Sequence, residues 1–577
     1  MFKTISRVFF GLGLVILSVS FSFAGENTSK RAKRAAQSLQ IKIVPWGPSQ
    51  ETVDAAKLRV EQSAAMQNFL RGARYRLLEF SYLENESRSA TAQPPTRFRA
   101  VFYDYTNDRA IVAEGDFAGK EAIIAHEEFY QPVPDDAEFD EAIAILKADA
   151  RFAAALKDGL LKPFRPMPPI TILDGTIERL VNVGLDSGNG AAQNEVVSVG
   201  IKRGSVIRYD DGAPPSSRAT PDACGIPNAS QSTTSNGTAG QYQMTVMDGA
   251  NPLWEMLILR PSASSGASSK RSGIEVRDVK YKGKSVLSRG HVPILNVQYV
   301  GGECGPYRDW QYQEDMFATP ATGNTDPAAG IRLVADGQIA TTALDTGVDT
   351  GNFKGVAVYK QDVGNGMETV LVTELQAGWY RYIMEWRFAP DGTIRPRFGF
   401  GATDNSCVCF AHNHHVYWRL DFDIVQPNNK VFQMERGRKF LQPLTTETWR
   451  NKNPQTRRGL LIQNSAGNEA YELTPNLTDG VVDAFGVHDM WVLHFAGTSK
   501  TSPTQLEDGI TCVTCSTAFI QIDPFINGES IVDQDVVVWY GAHFLHNDAG
   551  NLIDPDHTAQ VLSGSHVVGP EIRAVRW

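Results

Sequence analysis

From about residue 170 to the end of the chain, short apolar runs alternate with clusters of Gly, Asn, Asp and Pro. KSVLSRGHVPILNVQYV, METVLVTEL, YRYIMEWRFAPDGTIRPRFGF, NHHVYWRLDFDIV and QDVVVWYGAHFLH are rich in β-branched and aromatic residues, the signature of strands. FAPDGTI reads as a hairpin turn between two of these runs. Side chains two apart on a strand share a face, so a sheet with one apolar face needs a second layer to cover it. Residues 170–577 are therefore expected to form a large antiparallel β-sandwich. Helical periodicity is rare there, no internal repeat is present, and the fifty Gly and thirty Pro of the 577 residues suit a turn-rich β protein. Residues 212–240 and 317–330 read as long loops.

The stretch 40–165 has a different texture and is expected to form a small α+β domain. RFRAVFYDY and RAIVAEGDF flank the polar turn Thr106-Asn107-Asp108, a hairpin signal. In AEFDEAIAILKADARFAAALKDG, Phe139, Ile143, Leu146 and Ala150 recur at helical spacing, and Gly159 supplies a C-terminal stop. PFRPMPP, residues 163–169, has the composition of a linker.

The N-terminus points to export. Lys3 and Arg7 precede the apolar run VFFGLGLVILSVSF and the small-residue site Ser22-Phe23-Ala24, so residues 1–24 read as a signal peptide. The run is shorter than the ~20 residues a membrane span needs, which argues against stable membrane insertion. Residues 25–39, with Lys30, Arg31, Lys33 and Arg34, read as a flexible, solvated N-terminus. A periplasmic or secreted location follows. There Cys224, Cys304, Cys407, Cys409, Cys512 and Cys515 favour disulfides over a soft-metal site, with connectivity left open by their spacing. A net charge of −10 gives no electrostatic footprint for nucleic acid.

Candidate chemistry lies in two late strands. In HNHHVYWRLDFDI, residues 412–424, His412 and His414 share a face, while His415 turns to the other with Tyr417, Arg419, Asp421 and Asp423. Two imidazoles suit zinc, copper, iron or nickel. QDVVVWYGAHFLH carries His543 and His546 on opposite faces. A third ligand from such a distant strand would complete the three-ligand, open-position arrangement of a catalytic metal.

HNHHVYWRLDFD resembles the copper-binding strand of copper amine oxidases, which reads H-x-H and then R-x-D-x-D at this spacing. DVVVWYGAHFLH resembles that family's later strand, D-[LIV]-V-x-W-[VY], with the third copper histidine six residues after the final aromatic. The resemblance makes His412, His414 and His546 the copper(II) ligands and passes over His543. It also implies a peripheral calcium site at Asp421, Asp423 and Asp535, with the carbonyls of Phe422 and Val536 as further ligands; hard oxygen donors of this kind suit calcium.

The family's organic cofactor, topaquinone, forms from a tyrosine. QAGWYRYIMEWRF, residues 376–388, is similar to the family's G-N-Y-D-Y-I-x-D-W frame and puts Tyr380 at the cofactor position, with Gly378, Tyr382, Ile383 and Trp386 matching. Trp379 stands in place of the Asn, Arg381 in place of the acid and Gln376 in place of a Thr. A tyrosine preceding the base corresponds to Tyr299. Tyr312-Gln313-Glu314 assigns the proton-abstracting carboxylate to Glu314, or to Asp315 with a one-residue slip. The resemblance thus implies oxidation of a primary amine by O2 to an aldehyde, with ammonia and hydrogen peroxide, in a homodimer. If Tyr380 stays unmodified, the alternative is a copper-binding relative without the quinone and without amine oxidase activity.

Overall fold

The computed structural model describes residues 39–577 except 84–93, 129–130, 133, 166–178, 187–194, 209–224, 227–239, 265–270, 300–306, 365, 404, 406–407, 409–411, 437–439, 481, 483–487, 496–521 and 547–566. The expected signal segment, all but Leu39 of the flexible N-terminus, the six cysteines and most of 212–240 lie outside the described residues.

The chain is mainly β, and its larger part is two packed layers of strands. In one layer Leu39–Pro45, Gln241–Asp248, Asn251–Leu259, Glu275–Tyr281, Lys284–Tyr299, His412–Phe422, Gln534–His546 and Met490–His494 pair antiparallel in that order. The other is built on the meander Val356–Asp362, Met367–Ala377, Tyr380–Phe388 and Ile394–Ala402. Asn428–Glu435, Arg458–Asn464, Ala470–Thr474 and Glu571–Arg576 extend it. Among the described strand pairs only Ile331–Leu333 with Val356–Asp362 is parallel. The layers meet at a corner, where Asn428 and Asn429 pair with Asp535 and Gln534.

Alternation along the strands explains why two layers form. Val416, Trp418, Leu420 and Phe422 share one buried core with Val536, Val538, Tyr540 and Ala542, and with Tyr380, Tyr382, Met384, Trp386 and Phe388. The intervening residues Tyr417, Val537 and Trp539 pack into a separate cluster on the outer face. The FAPDGTI turn closes as a hairpin: Phe388 faces Ile394, Asp391 Oδ1 accepts from Thr393 N at 3.0 Å, and Gly392 takes a φ of 89° that other residues resist.

The 40–165 stretch, expected as one small unit, is divided among three sheets. Leu39–Pro45 joins the large layer, because its inward Leu39 and Ile43 enter the main core. Tyr75–Leu83, Arg97–Asp104, Arg109–Asp116 and Ile124–Glu128 form a four-stranded antiparallel sheet covered by helices Gln50–Gln62 and Ala64–Leu70. The expected Arg97–Asp116 hairpin is its centre. Lys162–Phe164, whose last two residues fall in the expected linker 163–169, instead opens a third sheet with Leu180–Asp186, Glu195–Gly200 and Ser205–Arg208. Phe164 makes this pay: its ring is buried in the main core.

The predicted helix is present as Asp136–Ala148, with Phe139, Ala142 and Leu146 buried, followed by a short separate turn of helix at Ala153–Lys157. The break falls at Asp149, whose carboxylate takes the amide and guanidinium of Arg151 and so competes with the helical backbone. A buried ion pair, Glu138 with Arg179 (Oε1 to Nε 2.8 Å), ties this helix to the third sheet, and the Tyr105 hydroxyl donates to the same carboxylate at 2.7 Å.

Trp386 lies at the centre of the two-layer core, fully buried, with its indole N–H donating to Ile274 O at 3.1 Å. Trp386→Ala should lower unfolding free energy by about 3–5 kcal/mol. Leu441→Ser, on an exposed strand, should stay within about 0.5 kcal/mol. Denaturant melts of the two variants check both.

Candidate metal centre

Three histidines converge between the layers. His412 and His546 lie directly opposite each other in the antiparallel pair of their strands, and His414 is two residues along on the same face. All three are buried, and one ring nitrogen from each lies within 4.8 Å of the other two. His412 Nε2 and His546 Nδ1 are 3.1 Å apart. The facing layer contributes Tyr380. Its hydroxyl is 3.0 Å from His546 Nδ1 and in contact with His412 Nε2, and its ring meets that of His414 edge to face at 4.7 Å. Three imidazoles and a phenol oxygen, with no carboxylate or thiolate among them, make a donor set suited to copper, zinc, nickel or iron.

Tyr380 is aimed by a two-residue turn. Ala377 pairs with Tyr380, so Gly378 and Trp379 form the bend; Gly378 has φ 58°, which a glycine adopts without strain. Thr403 holds the bend, donating to the Trp379 carbonyl from its amide at 2.8 Å and its hydroxyl at 2.9 Å. The Trp379 indole packs against Phe164, with ring centroids 5.9 Å apart. Arg381, next along the strand, faces away from the histidines as period-2 alternation requires. It forms ion pairs with Asp315 and Asp349 on the far side of the sheet.

His543 stands apart from the centre, on the outer face. It pairs across the strands with His415, Nδ1 to Nδ1 at 2.8 Å, and its Nε2 is 3.0 Å from Asp489 Oδ1. Burial works against ionisation of Asp489. The hydrogen bond from His543 and the charge of Lys452, whose Nζ is 2.5 Å from the same oxygen, outweigh it and hold the carboxyl below the usual range.

The two base candidates fall elsewhere. Glu314 is fully buried in an ion pair with Arg260 and accepts from Ser262 Oγ at 3.1 Å. Asp315 pairs with Arg381 behind the sheet. Both are pulled there because a buried cation lies within reach of each. The carboxylate that does reach the tyrosine side is Asp309, buried, in contact with the Tyr382 hydroxyl. The Tyr382 ring lies parallel to that of Tyr380, centroids 5.2 Å apart with 6° between the planes. Tyr307-Arg308-Asp309 repeats the tyrosine–x–acid spacing of Tyr312-Gln313-Glu314, a signal in the sequence for the earlier acid. The backbone of Tyr299 pairs with His412, and Asp309 N donates to Leu295 O at 2.9 Å; both belong to the wall beside the histidines.

At the far end of the same strands, one carboxylate oxygen each of Asp421, Asp423 and Asp535 lie within 4.8 Å of one another. Phe422 and Val536, whose carbonyls were candidates for this cluster, face each other across the strand pair. Arg419 Nη1 is 3.5 Å from Asp421.

No family model matches the chain, and no curated protein matches it in sequence. Solved structures match its fold. The copper-containing benzylamine oxidase from Hansenula polymorpha aligns over 92% of this chain and 97% of its own, with a TM-score of 0.58 and 12% identity. The lysyl oxidase from Pichia pastoris aligns over 92% and 90%, with a TM-score of 0.53 and 12% identity. The likeness is one of fold: this chain has the architecture of the copper amine oxidases.

His546→Ala should abolish stoichiometric binding of an added transition metal, and His543→Ala should leave it intact while lowering stability through the loss of a partner for Asp489. Titration with Cu(II) followed by metal analysis, beside a thermal melt, separates the two effects.

Proposed function

We propose that the chain is an exported copper-dependent amine oxidase, with His412, His414 and His546 as the copper ligands and Tyr380 as the precursor of a quinone cofactor. The observation that carries this reading is the Tyr380 hydroxyl placed against two of three convergent, buried imidazoles. Bound copper would supply the oxidation of the tyrosine ring by O2, and the quinone an electrophilic carbonyl for a primary amine; aldehyde, ammonia and hydrogen peroxide would leave.

The protein's own groups have definite tasks in such a reaction. The core around Tyr380 excludes water, which strengthens every polar interaction within it. Tyr382 lies parallel to the cofactor position and fixes one face of it. Asp309, rather than Glu314 or Asp315, is the base we assign. Its carboxylate reaches the tyrosine pair, whereas theirs are neutralised by Arg260 and Arg381. Its contact with the Tyr382 hydroxyl holds it in one orientation while it takes a proton from a substrate carbon. Arg381 sets no positive charge in the path of an ammonium substrate, because its guanidinium lies behind the sheet.

Asp421, Asp423 and Asp535, with the Phe422 and Val536 carbonyls, we assign to calcium, which would fasten the two copper strands at their other end. Export to the periplasm or medium and a homodimer complete the proposal.

A second reading is supported by the site itself. The Tyr380 oxygen already completes a four-donor set with the histidines, and Trp379 occupies the position of the family's polar Asn. In that reading Tyr380 remains a tyrosine and the protein binds copper without oxidising amines.

Peptide mass spectrometry after copper loading in air decides between them. A mass gain on the Tyr380 peptide and a phenylhydrazine adduct are expected, and an unmodified peptide with no adduct would leave the copper-binding reading alone. Asp309→Asn should then keep the adduct-forming cofactor yet lose about 10²–10⁴-fold in turnover. For the calcium assignment, Asp423→Asn should remove the rise in melting temperature that added calcium produces in the parent protein.

A further inference from the structure

Behind the strand that carries Tyr380, three carboxylates and one guanidinium are sealed from solvent. Asp315, Asp349, Glu374 and Arg381 are all fully buried. One oxygen each of Asp315, Asp349 and Glu374 lie within 4.8 Å of one another. Arg381 grips Asp349 with two bonds, Nε to Oδ1 at 2.7 Å and Nη2 to Oδ2 at 2.9 Å, and its Nε is 2.8 Å from Asp315 Oδ2. Its Nη1 donates to the carbonyls of Gly378 at 3.3 Å and Tyr380 at 3.1 Å, the backbone of the turn that aims the tyrosine.

Glu374 is the member without a cation of its own. Its Oε2 accepts from the Ala343 amide at 2.8 Å, while its Oε1, closed off from water, receives no hydrogen bond from any described donor. The Asp315 amide donates to the Glu374 carbonyl at 2.9 Å, so the two acids are adjacent in backbone as well as in side chain. Were Glu374 ionised beside Asp315 and Asp349, its charge would lie in the core without a cation of its own, since Arg381 is engaged by the two aspartates, and that is costly.

We propose that Glu374 is a neutral carboxylic acid that shares its proton with Asp315. The proton turns an oxygen lacking a donor into a donor and completes a clamp in which Arg381 fixes the Tyr380 turn from the far side of the sheet. Burial and then the charge of Asp315 push the Glu374 carboxyl well above the usual range, against the opposing pull of the Ala343 amide and Arg381; Asp349 adds to the rise. Glu374, Asp315, Asp349 and Arg381 are positioning residues, and the inference holds whether or not Tyr380 becomes a quinone.

The linkage has a definite sign. A carboxyl whose pKa is raised by folding contributes stability that is fully present below its unfolded pKa. That stability is lost as pH rises through the folded pKa. The full-length protein labelled with 13C at the glutamate carboxyl should show, at neutral pH, an isotope-shifted infrared band of a protonated carboxyl that Glu374→Gln removes. Glu374→Gln, a neutral isostere, should keep the acid-side melting temperature and flatten its alkaline decline. It should also abolish the alkaline rise in amide exchange at residues 378–382, after correction for the intrinsic rate. Absence of the labelled band in the parent protein overturns the proposal, even if Glu374→Gln does not fold. So does an identical alkaline decline in parent and variant, or a stoichiometric divalent cation in the parent that is lost in the variant, which would show a metal in the proton's place.

Discussion

The antiparallel pairing of His412–Phe422 with Gln534–His546 is the constraint on which the site depends. It sets His412 opposite His546, and the two-residue period of a strand puts His414 on the same side. A slip of one residue in the first strand would turn His412 and His414 outward, away from His546, and bring His415 in. The register is held by the rest of the same face, where Trp418, Leu420, Val538 and Tyr540 are fully buried. The packing that stabilises the layer and the geometry that gathers the nitrogens are therefore one interaction.

The facing layer completes the centre with a tight turn. Gly378 and Trp379 let the chain reverse immediately before Tyr380, and Thr403 and Arg381 bind the turn's carbonyls from two sides. The residues at which this chain differs from the copper amine oxidase cofactor motif have physical roles here. Trp379 fills the space against Phe164, a residue of the third sheet, and so couples that sheet to the turn. Arg381 brings a charge into the core, and Asp315 and Asp349 compensate it on the side away from the histidines.

The outer face of the two histidine-bearing strands carries a second buried polar chain, His415 to His543 to Asp489 to Lys452. Truncating one member would leave a buried charge or ring nitrogen without its partner, so the chain is a stability element in its own right. It also shows why histidine content alone is a poor guide to a metal centre: all five histidines on these two strands are fully or nearly buried, and strand parity sorts them onto the two faces.

The sequence by itself determined the local facts. Alternating strand runs specified a mainly β sandwich, the H-x-H spacing put His412 and His414 on one face, and the frame of the later strand selected His546 over His543. The first two follow from strand parity, which is a short-range property of the backbone; the choice of His546 came from the resemblance of its strand to the copper amine oxidase motif. What tertiary structure decided were the long-range pairings. Leu39–Pro45 and Lys162–Phe164 left the expected small unit because their apolar side chains found burial in distant layers. The base candidates Glu314 and Asp315 were drawn off by Arg260 and Arg381, and Asp309 took the place beside the tyrosines. An acid's role depends on which cation or hydroxyl lies across from it in space, and spacing along the chain carries no record of that neighbour.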